Sequence, residues 1–425
     1  MRRQENIVNQ IDWLTIFLYL ILVLWGWLNI YAAVHDDTNN NSIFDLSINS
    51  GRQLIFIGAS FIPIMVIMII DFKFYDTFAY IFYGVTIVML LVVLVLARDV
   101  SGARAWIDIG AFKLQPSEFA KAATALAVAR TIASSTFKME KLKNQMLLFA
   151  IIGLPTVLII LQDDVGTAMV YAIFLVVFYR EGMSPILLIA GIVVATLFVL
   201  TLFIDNLYLT LTLGGLALLI ALYFALAKKK IRVAFIAVGI GVSMVLVVLG
   251  TDFFINEVLQ PHQRSRINTL VDPEADEKGA GYHVSNSKIA IGSGGFSGKG
   301  FLAGTQTAGG YVPEQSTDFI FATIGEEYGW LGSLIMIGLF ITLLLRIIFI
   351  AERQKWRFAR VYGYCVACIL FFHFGVNIGM TIGLFPVIGI PLPFFSYGGS
   401  SLLGFTALLF ILLKLDAHRK QVLIR

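Results

Sequence analysis

The sequence predicts an all-α polytopic membrane protein with about twelve transmembrane helices and one large extracellular loop. Of its 425 residues, 58% are hydrophobic and only 14% charged, whereas soluble globular domains are about 25% charged. Mean hydropathy is +0.86. Apolar runs also recur at a length that carries a helix across roughly 30 Å of hydrocarbon.

In chain order these runs lie at 12–33, 53–70, 76–97, 118–135, 146–162, 164–180, 185–204, 207–226, 232–250, 318–347, 361–384 and 393–414. No small-residue cleavage site follows the first, so it reads as a retained span, and residues 1–425 read as one integral membrane domain. Threading the runs alternately from a cytoplasmic N-terminus places 19 of the 31 Lys and Arg residues inside and 9 outside, with Lys121, Arg130 and Arg346 within spans. The inside charges fall in short loops and tails, where a positive bias sets orientation. Both termini are therefore expected in the cytoplasm. A net charge of +4 is too small to argue for a nucleic-acid partner. Cys365 and Cys368 share one apolar run at i, i+3 and read as packing residues, not as a disulfide framework.

Two outside segments are more than connectors. Residues 98–117 join the third and fourth spans, and 251–317 form a 67-residue loop in an otherwise tightly threaded chain. A loop of that length is usually functional or disordered, and this one is too rich in apolar and Gly positions to read as disordered.

Four stretches carry polar chemistry. IGSGGFSGKG, residues 291–300, fails as a P-loop because Gly300 follows Lys299, where the pattern needs Ser or Thr. It fails the dinucleotide pattern because Ser297 occupies the third glycine's place. Its glycines either permit tight turns or line a path for a lipid phosphate. In QPSEFAK, residues 115–121, Glu118 and Lys121 share a helix face, as a structural ion pair or as a polar wall of a substrate cavity. QDDVGTA, residues 162–168, reads as turn chemistry. In YVPEQSTDFIFATIGEEYG, residues 311–329, Asp318 stands where an incoming helix favours an anion, so it reads as a helix cap or as a reactive carboxylate. On one straight axis Glu326 would lie about 80° and Glu327 about 180° around from Asp318, so the three cannot converge.

These motifs, with GARAW (residues 102–106), GYHVSNSKIAIGSGGFSGKG, NIGM (377–380) and PLPFFSYGGSS (391–401), resemble the SEDS family of shape, elongation, division and sporulation proteins. The resemblance covers about 50–180 and 260–415, and GTQ at residues 304–306 looks more like the RodA branch than the FtsW branch. It implies a peptidoglycan glycosyltransferase that polymerises lipid II on the outer face of the bacterial cytoplasmic membrane, working with a class B penicillin-binding protein transpeptidase. The family's essential Asp matches Asp318 and its extracellular-loop Trp matches Trp106. Three departures stand out. Ala105 occupies the place of a usual Arg, with Arg104 one residue earlier; Asp163 replaces a usual Pro; and the family has ten spans, so 185–226 reads as an inserted helical hairpin. An even insertion preserves the sidedness of everything after it.

The chemistry so implied needs a base for the acceptor hydroxyl, a role worth about 10² to 10⁴ in rate, and cations against the departing prenyl pyrophosphate. Asp318 is the expected base. Arg52, Arg104, Lys113, Arg264, Arg266, Lys288 and Lys299 are the outside basic candidates, and Trp106 either stacks on a sugar or anchors its loop among headgroups. Glu118 and Lys121 complete the expected substrate-binding set. A divalent cation, Mg or Mn, is the one cofactor this chemistry leaves room for. Membrane lipids surround the whole. Two other functions fit the sequence: a lipid II transporter, suited by many spans with intramembrane Glu118, Lys121 and Glu326, and a non-catalytic scaffold for the transpeptidase.

Overall fold

Every run expected to span contains helix in the computed structural model, which describes residues 10–35, 42–97, 104–109, 112–259, 261–270 and 279–419, although the run expected at 393–414 is helical only from Gly399. Gly102 and Ala103 of GARAW, Arg98, and residues 271–278 of the long loop lie outside the described residues. The first half comprises α1 (Trp13–Val34), α2 (Asn49–Ile69), the short α3 (Phe72–Thr77), α4 (Ala79–Leu96), a hairpin of β1 (Ile107–Ile109) and β2 (Phe112–Leu114), α5 (Pro116–Ala133), α6 (Leu142–Ile160), α7 (Val165–Met169) and α8 (Phe174–Arg180). Then come α9 (Pro185–Phe203), α10 (Asn206–Leu222), α11 (Ile231–Phe253), α12 (Pro261–Asn268), α13 (Ala280–Ser293), α14 (Thr305–Ala308), α15 (Ile320–Glu352), α16 (Arg357–Thr381) and α17 (Gly399–Ala417).

Ten described helices are long and apolar enough to cross a membrane, against the twelve expected, and the two exceptions have physical reasons. Helix α5 carries Glu118, Lys121 and Arg130, but 15 of its 18 residues are buried, so it needs no apolar face toward lipid. The other, Val165–Arg180, is shorter than a full span even when α7, the 3-10 turn at Val170–Ile173 and α8 are taken as one stretch.

The chain divides into two compact units, residues 184–285 and the remainder. In the larger unit the core lies on α5, α16 and α17, with α1, α2, α4 and α15 packed around them. In the smaller unit α10 packs along α11, and Leu197, Leu209 and Val248 form its small core. The outward faces of α9–α11 are almost uniformly apolar, as lipid-facing helices must be.

One helix departs from its expected shape. The run 318–347 was expected as one straight span, but α15 begins at Ile320 and breaks at Gly329, whose φ of 64° and ψ of −155° only glycine adopts readily. Residues 330–352 alone reach about 34 Å, enough to cross a bilayer. Glu326 and Glu327 therefore belong to a short piece before the break, not to the spanning stretch.

The glycine run accounts for the break. Trp330 and Leu331, which lose their helical acceptors at the kink, donate backbone N–H groups to the carbonyls of Gly295 and Phe296 at 2.9 and 3.1 Å. In return the amides of Lys299 and Gly300 donate to the carbonyls of Glu326 and Glu327 at 3.0 and 2.9 Å. A Cβ on Gly294 or Gly298 would collide with the carbonyls of Gly325 or Glu327. Those glycines exist so that two backbones can touch.

Candidate active site

Asp318 sits two residues before α15, half-buried, in a turn closed by the amides of Thr317 and Phe319 on the Glu314 carbonyl, both at 3.1 Å. The cap position of α15 falls on Phe319, one residue after Asp318. Ser316 and Thr317, also capping residue types, bond elsewhere. Ser316 Oγ accepts from Asn49 Nδ2 at 3.0 Å, and Thr317 Oγ1 donates to Glu314 Oε2 at 2.9 Å.

Three consecutive carbonyls around Asp318 are each captured from distant sequence. The Tyr397 amide donates to Ser316 O at 2.9 Å, Ser396 Oγ to Thr317 O at 2.6 Å, and Asn377 Nδ2 to Asp318 O at 2.8 Å. The segment 388–400 is where the motifs converge. Its Gly398 amide donates to Gln53 Oε1 of α2 at 3.1 Å. Ser400 Oγ accepts from the Gln115 amide and donates to Lys113 O, both at 3.0 Å, which ties the β-hairpin loop to the start of α17. A Cβ on Gly166 would strike Ile388 O, and one on Gly26 would strike the Phe395 backbone. Gly389, at φ 69°, faces the Asp318 carboxylate, since a Cβ there would lie 3.5 Å from Asp318 Oδ2.

The other expected site residues fall into three groups. Glu118 and Lys121 form a buried ion pair at 2.8 Å. Lys121 Nζ also meets His373 Nε2 at 2.8 Å, while His373 Nδ1 lies 3.2 Å from Pro391 O. Both contacts are satisfied when Nδ1 carries the ring proton, so this cluster braces the 388–400 segment from below. Lys299 Nζ is paired with Glu326 Oε1 at 2.6 Å. The same carboxylate accepts from the Gln306 and Thr307 amides and from Thr307 Oγ1, each at 2.8 Å, and so pins α14. Glu327 accepts from the Leu302 amide at 3.1 Å. Arg52, Arg104 and Trp106 are not drawn into any such cluster. Arg52 is exposed on the first turn of α2, with Nε on Leu46 O at 3.1 Å. Arg104 is exposed, held by its backbone amide on Gln162 O at 2.9 Å, and Trp106 is half-buried beside it.

Asp163, where the resembled family has Pro, adopts φ 60°. Proline is locked near −65° and cannot enter that conformation, whereas Asp tolerates it. Asp164 then caps α7 through the Thr167 amide at 3.1 Å and accepts from Gln115 Nε2 at 3.0 Å. Among the described residues, no cluster of three or more His, Cys, Asp or Glu side chains is placed to hold a metal ion.

Asn377, Ser396, Gly389 and His373 went unassigned in the sequence. Asn377, Ser396 and Gly389 lie in or beside the quoted motifs NIGM and PLPFFSYGGSS, but their partners are 59 and 79 residues away for Asn377 and Ser396. Only the clustering of special residue types pointed to them.

Comparison with known proteins agrees with this architecture. The sequence model of the FtsW/RodA/SpoVE family, described as cell cycle protein, matches residues 12–212 and 188–421. The chain is 36% identical over 361 residues to the peptidoglycan glycosyltransferase MrdB of Escherichia coli K12, covering 84% of this chain and 83% of that protein. It is 32% identical over 437 residues to the peptidoglycan glycosyltransferase RodA of Treponema pallidum, covering 98% and 99%. Among solved structures, the fold matches a chain of a peptidoglycan synthase complex with a TM-score of 0.69 at 24% identity, covering 97% and 99%. It also matches the rod shape determining protein RodA of Thermus thermophilus with a TM-score of 0.61 at 23% identity, covering 96% and 97%. A multi-pass helical bundle whose motifs meet at one segment, matched by that family's model over most of its length, belongs to the SEDS family of FtsW, RodA and SpoVE proteins and resembles its RodA branch.

Proposed function

We propose that the protein is a peptidoglycan glycosyltransferase that polymerises lipid II at the outer face of the bacterial cytoplasmic membrane, with Asp318 as general base. The observation that carries this reading is the placement of Asp318: the carbonyls of its turn are clamped by two other motifs, and its carboxylate faces Gly389 of the segment where the motifs converge. Identity to proteins named peptidoglycan glycosyltransferases supports the reaction class.

In this mechanism the Asp318 carboxylate takes the proton of the acceptor sugar hydroxyl as that oxygen attacks the anomeric carbon of the donor. The bond from that carbon to the prenyl pyrophosphate breaks, and the leaving group departs with the electron pair. Arg52 and Arg104 are the preferred cations for its developing charge, because both are exposed and neither forms a salt bridge among the described residues. Lys121 and Lys299 are already neutralised by Glu118 and Glu326, which makes them braces and leaves little for a phosphate. Trp106 stands next to Arg104 and offers a ring to a sugar face. A divalent cation, where one takes part, would further neutralise the pyrophosphate; no step here depends on it.

The 19 inside Lys and Arg residues support cytoplasmic termini, which puts Asp318 outside. A class B penicillin-binding protein is the expected partner, consistent with the fold shared with a chain of a peptidoglycan synthase complex. Glu118, Lys121 and Glu326, which suit a transporter, each have a bonded partner here, and the named relatives favour the transferase reading.

The test is polymerisation of purified lipid II by the detergent-purified protein with its transpeptidase partner. Asp318→Ala should fold, bind the partner and lose at least about 10² in rate. Normal glycan synthesis by that variant would end the assignment of Asp318 as the base.

A further inference from the structure

We infer that Asn377 and Ser396 are positioning residues for the Asp318 carboxylate, an inference that rests on reading Asp318 as the base. Asp318 precedes the first residue of α15, so no helical hydrogen bond to its carbonyl fixes its backbone. A base must be held within a fraction of an ångström of its productive position. Two buried side chains supply that hold, each by bridging the same two segments. The Asn377 amide donates one N–H to Asp318 O at 2.8 Å and the other to Ile390 O at 2.7 Å. Asn377 therefore sets the separation between the turn that carries the carboxylate and the residue next to Gly389, which faces it. Ser396 repeats the device one residue earlier: its Oγ donates to Thr317 O at 2.6 Å and accepts from the Leu392 amide at 2.9 Å. Asn377 is 0% and Ser396 3% exposed, so water cannot substitute for either.

Neither side chain needs to touch substrate for this role, which sets what a measurement must separate. Asn377→Leu keeps the γ-branched shape, at a larger volume, and removes both donors. Ser396→Ala removes the hydroxyl, and Ser396→Thr restores it. Full-length protein with its partner is assayed on lipid II for kcat and KM, with Tm in the same detergent. The expected result is a fall in kcat of about 10- to 100-fold for Asn377→Leu and Ser396→Ala, with KM unchanged, the protein still folded at assay temperature, and kcat recovered in Ser396→Thr. Should Asn377→Leu fail to fold, the Ser396 pair alone decides. Unchanged kcat, or a loss that tracks the unfolded fraction and that Ser396→Thr does not recover, overturns the inference. Asp318→Ala, run alongside, separates the two readings. If it is inactive while Asn377→Leu and Ser396→Ala are normal, only the positioning role falls. If it is active, the base and this inference fall together.

Discussion

Asp163 shows how one residue records a backbone choice. Its φ of 60° is open to glycine at no steric cost and closed to proline. Asp163→Gly should therefore leave the Tm in detergent unchanged or slightly raised, whereas Asp163→Pro should destabilise by more than about 1 kcal/mol. An unchanged Tm in the proline variant would mean that the turn refolds around it. Asp318 belongs to the same scale. Residue type and position made it a candidate from sequence but left a cap and a base equally open, and the bonds from Asn377 and Ser396 that hold its turn depend on segments 59 and 79 residues away. Lys299 has a partner that the sequence did not announce. As an outside lysine it read as a phosphate ligand, and nothing local announced a carboxylate 27 residues on.

At the scale of elements, the break in α15 and the glycine run are one feature. Gly329→Ala places a Cβ against the Gly298 amide in a conformation only glycine favours, at a cost of about 1–3 kcal/mol. The expected outcome is a lower Tm and faster limited proteolysis within 294–300, because the loop loses its seat on the helix. Protection equal to wild type would show that the kink does not depend on that seat. The spans themselves were legible in the sequence, since an apolar run of bilayer length has few other readings. The break was not, because one glycine inside an apolar run is as common in a straight membrane helix as at a kink. Nor was α5 legible as the hub of the bundle, for its burial depends on neighbours that arrive more than 200 residues later, in α16 and α17.

For the whole molecule, the question is sidedness. The family model matches two stretches that overlap at 188–212, within the hairpin expected as an insertion, and a pair of added spans leaves later segments on their original side. In intact spheroplasts, a cysteine at exposed Tyr311 (Tyr311→Cys) should react with a membrane-impermeant maleimide. One at exposed Lys229 (Lys229→Cys) should react only after permeabilisation. The reverse pattern, or labelling of both, would overturn the threading and with it the placement of Asp318.

At the end of the bundle opposite Asp318, Asp12 bonds Arg346 Nη2 at 2.7 Å and Arg353 Nη2 at 3.0 Å, and Arg353 is also paired with Asp416. Arg419 Nη1 closes the group on Asp416 at 3.1 Å and on Gln10 O at 3.3 Å. Farther in, Tyr19 OH meets Thr406 Oγ1 at 3.0 Å. The first span is thereby fastened to partners that a ribosome makes last. During synthesis α1 must wait in the bilayer with Asp12 bonded only to its own Thr15 until α15 brings the two arginines, and Arg353 in turn waits for Asp416 of α17. Assembly of the bundle is accordingly a race between the final helices and whatever surveys half-built membrane proteins, and a chain truncated before α17 should be cleared by proteolysis instead of accumulating.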